Sequence, residues 1–217
     1  IVGISGGIDS SVVSTLCAST GRKTIVLTMP IKQIKSQHDL SLSHAKWLKQ
    51  KYNNVEHHLL EMDKIFSSFS QVLNKFDNEH GYANSRARLR MATLYQVAAA
   101  NSGIVVGTGN KVEDFGVGFY TKYGDGGVDI SPIADCTKTQ VWELGKHLGV
   151  SEDIINTPPT DGLWDDGRND VQQLGMSYED LEKAMVNKND PNYQKYLEIR
   201  EKNLHKMNPI PVCKFNE

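Results

Sequence analysis

The chain opens with Ile1-Val2-Gly3-Ile4-Ser5-Gly6-Gly7-Ile8-Asp9-Ser10, and the reading of that stretch decides the fold. A short apolar run stops at Ser5-Gly6-Gly7. Beyond it Val12, Val13, Leu16 and Cys17 follow helical spacing, with Asp9 and Ser10 as candidates for the N-terminal cap. Strand, glycine turn and helix is the order expected at the phosphate end of a parallel sheet. Gly6 and Gly7 let the backbone approach an anion without a Cβ in the way. The helix then points its free N–H groups and positive dipole end at the same spot. Ser5, Ser10 and Ser11 add hydroxyl donors. A carboxylate such as Asp9 beside a phosphate site makes sense when Mg²⁺ lies between them. The lysine of a GxxxxGK loop is missing, so this is not a Walker A turn. The competing reading is an ordinary strand-to-helix turn capped by Asp9 or Ser10.

Working outward, 24–29 reads as a second buried strand ending at Pro30, 41–52 as a helix and 55–60 as a third strand. A long helix is expected over 85–100, closed by Asn101-Ser102-Gly103, and a fourth strand over 104–107. The alternation implies an α/β fold, an open parallel sheet flanked by helices. After Gly107 the character changes. The stretch 119–130 is rich in Gly and Asp and reads as a loop near the ligand, and 157–170 as a second, polar loop. Helices are expected over 137–148, 178–185 and 193–206, giving a helical C-terminal part within one domain spanning 1–217. The chain begins in what reads as the middle of a strand, so residues ahead of Ile1 are expected to be missing.

Hydrophobic residues make up 39% of the 217, enough for a real core. A formal net charge of −2 argues against a dedicated nucleic-acid binder. Cys17, Cys136 and Cys213 show neither a CxxC pair nor metal-ligand spacing, which points away from disulfides and zinc and toward a reducing cytoplasm. No apolar run approaches the roughly 18 to 20 residues of a membrane helix.

The opening motif resembles SGGxDS, the signature of the ATP pyrophosphatase superfamily, whose members cleave ATP between its α and β phosphates to adenylate an oxygen of a second substrate. Three further stretches narrow the choice. Asn84-Ser85-Arg86-Ala87-Arg88-Leu89-Arg90 opens a helix with three arginines at alternate positions. These fan round about 200°, so they cannot all serve one ligand, and a solvated basic face is the plain alternative. Gly107-Thr108-Gly109-Asn110-Lys111-Val112-Glu113-Asp114 follows a buried strand and offers a hydroxyl and two carboxylates. An acidic helix cap is the plain alternative there. Thr121-Lys122-Tyr123-Gly124-Asp125-Gly126-Gly127-Val128-Asp129 crowds three glycines, two aspartates and a lysine into one loop, which packing alone does not readily explain.

Together with Ser131-Pro132-Ile133, Thr137-Lys138-Thr139-Gln140, Pro159-Thr160-Asp161-Gly162-Leu163, Asp165-Asp166 and His205-Lys206-Met207, these stretches resemble ammonia-dependent NAD⁺ synthetase over most of the chain. GMP synthetase and argininosuccinate synthetase share the first motif but not the glycine-rich loop, and sulfur-transfer members are expected to carry paired cysteines. The resemblance implies amidation of deamido-NAD⁺ (nicotinic acid adenine dinucleotide) by ammonia, with ATP as co-substrate and Mg²⁺ as cofactor, in a cytoplasmic homodimer. It implies ATP contacts at Gly3, Ile4, Ser5, Gly6, Gly7, Ile8, Asp9, Ser10, Thr108, Lys138 and Thr160. Asp9 and Glu113 would hold the metal, with Asp114 as the alternative to Glu113, because 113–122 runs one residue longer than the commoner pattern. Arg88 (or Arg86), Lys122, Asp129, His205 and Lys206 would contact deamido-NAD⁺. Asp9, Lys138 and Asp129 are the expected catalytic groups, Asp129 orienting the pyridine end or the ammonium. The 157–170 loop is expected to act as a lid. A glutaminase domain does not fit within 217 residues, so free ammonia is the expected donor. Another adenylating amidotransferase, a tRNA-modifying enzyme and a non-catalytic nucleotide sensor are the competing readings.

Overall fold

The computed structural model describes residues 1–160, 162–164 and 169–215. Its named sheet holds β1 (Val2–Gly3), β2 (Thr24–Thr28) and β3 (Val55–Leu59), paired in parallel in that order. β2 is buried along its whole length, as a parallel strand covered on both faces must be. On the other side of β1, the Ile1 amine donates to Ile104 O at 2.8 Å and the Val106 N–H donates to Ile1 O at 2.9 Å. Val106 also makes one parallel bridge to Ile130. The expected fourth strand is thus reduced to this bridge, because the Val105 N–H is taken by the Asp129 carboxylate at 2.7 Å instead of a ladder partner.

Hydrogen bonding therefore leaves β1 in opposite directions, toward β2 and toward 104–106. That divergence creates a crevice beyond the carboxyl end of β1, the place where open α/β sheets take ligands. The Ser5-Gly6-Gly7 turn sits there.

Helices cover both faces. α1 (Ile8–Ser19) and α2 (Lys35–Lys51) share one core with β1 and a later helix over 138–148, through Val12, Val13, Leu48 and Val141, all fully buried. The opposite face buries Ile25, Leu27 and Met29 against α3 (Asp63–Val72) and α4 (Glu79–Ala100), through Phe66, Leu94 and Val97. α5 (Lys138–Leu148) and the short α6 (Glu152–Ile155) and α7 (Asp170–Leu174) follow. α8 (Tyr178–Val186) and α9 (Tyr193–Met207) pack against a π-helical turn at Lys111–Val117.

Two boundaries differ from expectation for a physical reason. α2 starts at Lys35, since its buried face includes Ser41 and His44 and so lacks a plain apolar stripe. α4 starts at Glu79, where the Asn78 side chain accepts from the Gly81 N–H and caps it. α3 had no counterpart in the sequence reading; Phe66 is its one buried residue.

The buried His44 carries a pH prediction. Its Nε2 lies 3.0 Å from Ser14 Oγ, and the ring stacks on Trp47 at 5.4 Å. Burial lowers its pKa from 6.5 to about 4. The folded value lies below the unfolded one, so the stability is fully present above pH 6.5 and is lost as the pH falls toward 4. The loss expected from this ring is about 3 kcal/mol. Urea midpoints at pH 7 and pH 4.5 check it: His44→Gln should flatten the decline, and a decline as steep as in the unaltered chain would contradict the assignment.

Candidate active site

The crevice beyond β1 is a cleft of about 250 Å³, lined by every residue from Gly3 to Ser10 together with Thr108, Glu113, Lys138 and Thr160. All the residues expected to contact ATP therefore face one cavity. Neither Asp9 nor Ser10 caps α1; its N-cap is Gly7, with no side-chain hydrogen bond closing the helix end. Instead the Ser10 and Ser11 hydroxyls donate back to Gly7 O at 3.1 and 2.9 Å, and the Ser5 N–H donates to Ser10 Oγ at 3.2 Å. The hydroxyls tie the turn together and leave the N–H groups of the first helical turn to an anion. Gly6 is required by shape: its φ is +90°, and a Cβ would lie 2.4 Å from Gln37 O of α2.

Across the cleft, α5 begins with a capping box between Thr137 and Gln140, and its first residue is Lys138. A buried cation in the first turn of a helix opposes the helix dipole, so the fold must offset it nearby. Lys138 Nζ donates to Asp9 Oδ2 at 2.5 Å and to Glu113 Oε1 at 2.9 Å, with its side chain 1% exposed. Burial alone would lower the ammonium's pKa, yet Asp9 and Glu113 outweigh it and hold Lys138 above its ordinary value. Burial pushes the Glu113 carboxyl up even against the pull of Lys138, and Asp9 adds to the rise.

Asn110 completes this cluster and was quoted in the sequence without a role. It is fully buried, donates to Asp9 Oδ1 at 3.0 Å, and accepts from the Val112 and Glu113 N–H groups. It thereby caps the π-helical turn and aims both carboxylates at once. The first part of the 113–122 stretch is wound in this turn, which takes up more residues per turn than an α-helix. Glu113 consequently meets Lys138, while Asp114 lies against Gly109, where a Cβ would come 2.0 Å from its Oδ2. Glu113 thus shares the Lys138 ammonium with Asp9, and Asp114 also lines the cleft. Two hard oxygen donors converging on the phosphate turn suit Mg²⁺, which keeps several waters and takes only one or two carboxylates. Among the described residues no group of three or more His, Cys, Asp or Glu forms a fuller metal cage.

The three arginines of α4 diverge as their spacing requires. Arg86 is buried and donates to Leu163 O at 2.9 Å. Arg88 is exposed and donates to Lys122 O at 3.3 Å. Arg90 lines the cleft and donates to Met29 O at 3.0 Å, a position to which the sequence had attached no role. At the described ends of the 157–170 stretch, the Asp170 N–H donates to Pro159 O at 3.0 Å. Asp161, Asp165 and Asp166 lie outside the described residues.

The residues expected at deamido-NAD⁺ behave differently. Arg88, Lys122, His205 and Lys206 form one neighbourhood, but none lines the cleft. Lys122 Nζ donates to His205 O at 2.7 Å, and Lys206 Nζ donates to Gly118 O and Tyr120 O. These contacts clasp the end of α9 to the glycine-rich loop. Asp129 is also absent from the cleft lining; besides the Val105 N–H it accepts from Tyr95 OH at 3.0 Å. These two hydrogen bonds hold it beside the 104–106 segment, outside the cleft of the single chain. Packing accounts for part of the glycine-rich loop after all: a Cβ on Gly124 would lie 2.8 Å from Thr121 Cγ2 and 2.9 Å from Ala87 Cβ.

The family model described as NAD synthase matches residues 1–212. The NH(3)-dependent NAD(+) synthetase of Saccharolobus solfataricus is 39% identical over 218 residues, covering 98% of this chain and 72% of that protein. The solved NMN synthetase from Francisella tularensis superposes with a TM-score of 0.90 at 30% identity, covering 99% of this chain and 88% of the other. The NH3-dependent NAD synthetase from Campylobacter jejuni gives 0.78 at 27% identity, covering 98% and 88%. With a phosphate turn, a converging lysine and two carboxylates in one cleft, the chain belongs to the NAD synthase family, a C–N-bond-forming ligase.

Proposed function

We propose that the chain amidates the nicotinate carboxylate of deamido-NAD⁺ with ammonia, consuming ATP and releasing AMP and pyrophosphate. The observation that carries this reading is the convergence of Gly3 to Ser10, Lys138, Asp9 and Glu113 on one cleft. The nicotinate carboxylate attacks the α-phosphorus and pyrophosphate leaves. The N–H groups of the first α1 turn and the Lys138 ammonium neutralise charge on the departing group. Ammonia then attacks the acyl adenylate, expels AMP and loses a proton. Mg²⁺, when held by Asp9 and Glu113, supplies further neutralisation of the phosphates. No side-chain nucleophile is needed, since the substrate provides its own, and alignment of two bound nucleotides supplies much of the rate. The 157–170 loop serves as a lid that keeps water from the adenylate. Thr157, Thr160 and Gly162 of that loop line the cleft.

Arg88, Lys122, His205 and Lys206 gather outside the cleft of the single chain, which suits a dinucleotide site shared between the subunits of a homodimer. A cytoplasmic enzyme is consistent with the free Cys17, Cys136 and Cys213. No described helix is long and apolar enough to cross a membrane.

A second reading is favoured by one observation, the TM-score of 0.90 to an NMN synthetase. In it the amidated acid is nicotinic acid mononucleotide, activated by the same cleft. Steady-state rates with the dinucleotide and the mononucleotide, with AMP and pyrophosphate quantified, separate the two. The proposed function requires the dinucleotide to give the higher kcat/KM by at least about tenfold. A preference for the mononucleotide would select the second reading, and pyrophosphate release with neither acid would sink both.

A further inference from the structure

Tyr178 lies far in sequence from the nucleotide turn and is not needed by the chemistry above, yet its hydroxyl sits beside a proposed metal ligand. It is 3% exposed, the first residue of α8, and its ring packs edge-on against Trp142 at 5.9 Å. The phenol oxygen is 2.5 Å from Glu113 Oε1 and 2.9 Å from Asp170 Oδ2. A phenol has one hydrogen to give, and here two carboxylates compete for it. Asp170, 4% exposed, is the first residue of α7, and its N–H holds Pro159 O next to the cleft-lining Thr160. A continuous path therefore runs from Glu113 through Tyr178 and Asp170 to the Pro159 and Thr160 wall of the cleft.

From this arrangement we infer that Tyr178 is a positioning residue that couples the carboxylate of Glu113 to the Pro159 and Thr160 side of the nucleotide site. This rests on the reading of Glu113 as a metal ligand. Glu113 Oε1 already accepts from Lys138, so its lone pairs are shared between the ammonium and the phenol. If Glu113 turned those lone pairs to a divalent cation, the phenol O–H would donate wholly to Asp170 Oδ2, with no proton leaving the phenol. That would firm the contact at Pro159, so metal and ATP would each favour the other's site, a reciprocal coupling.

ATP affinity measured by calorimetry with and without Mg²⁺ tests the coupling. The chain should gain ATP affinity when Mg²⁺ is added. Tyr178→Phe keeps the ring packing and should reduce that gain about tenfold while leaving metal-free ATP affinity unchanged, and Asp170→Asn, at a residue that itself lines the cleft, should reduce the gain by the same factor. The double variant should lose no more than either single variant, as expected for one shared path. A purely structural role would weaken ATP binding equally with and without Mg²⁺, and that result overturns the inference, as does additive loss. Should Tyr178→Phe fail to fold, Asp170→Asn reads the same loss alone. Glu113→Gln separates the two layers. If it abolishes the gain while Tyr178→Phe keeps it, the coupling is wrong and the metal ligand stands. If Glu113→Gln keeps the full gain, the metal assignment fails and the coupling with it.

Discussion

Replacing Lys138 by methionine is expected to lower kcat by about 10²- to 10³-fold, the usual cost of removing one charge-stabilising donor from a reacting centre. The side chain is 1% exposed and contacts both Asp9 and Glu113, so its loss does more than remove a positive charge from the pyrophosphate. It leaves two carboxylates facing each other in a poorly solvated site. Removing one member of a buried charge cluster costs about 3–5 kcal/mol. For a chain of this size that lowers the melting temperature by on the order of 10 °C. Added Mg²⁺ should recover part of that stability, because a divalent cation can stand between the same carboxylates, but it should not recover kcat. A variant that melts with the unaltered chain in the absence of Mg²⁺ would show that Lys138 is not the partner that Asp9 and Glu113 depend on.

The second large effect is expected at Gly6. Its φ of +90° lies in the region L side chains avoid, and a Cβ would sit 2.4 Å from the Gln37 carbonyl of α2, a backbone atom that cannot swing aside. Gly6→Ala must displace either the turn or the helix behind it. A shift of about 1 Å in a reacting constellation costs on the order of 10²-fold. Gly6→Ala should therefore raise the KM for ATP and lower kcat together, while the KM for ammonium changes little. Equal kinetics in the variant would mean the turn does not hold the phosphates. Gly7→Ala is the useful contrast, because its nearest contact would be Ser5 Oγ at an ordinary 3.4 Å.

The gathering of Gly3 to Ser10 and Lys138 around one cleft was legible in the sequence because each stretch is local. Gly3 to Ser10 is one contiguous turn, and Lys138 follows a capping threonine that announces the start of α5. The parallel sheet was legible for the same reason, since β2 carries the apolar Ile25-Val26-Leu27 between two threonines, bounded by a basic turn and Pro30. What could not be read is whatever depends on distant segments meeting. Tyr178 reaches Glu113 across 65 residues, and Asn110 reaches Asp9 across 101. Neither carries a strong local signal, although Asn110, directly after Gly107-Thr108-Gly109, was a hint that it caps something. The fourth strand failed because an aspartate, not a strand, satisfies the Val105 N–H. Where the side chains of Lys122 and Lys206 lie in the single chain was likewise not legible. Both side chains satisfy backbone carbonyls around the end of α9, and none of the resemblance's motifs encodes which way a lysine turns.

The arrangement of Asp9, Lys138 and the phosphate turn makes one central claim, that the acid is activated by attack of its own carboxylate on the α-phosphorus. Turnover with a nicotinate dinucleotide labelled with oxygen-18 in both carboxylate oxygens tests it most directly. One labelled oxygen should appear in each AMP formed, the other should remain in the amide, and none should appear in pyrophosphate. Unlabelled AMP, or label in a phosphate released from the γ position, would contradict it.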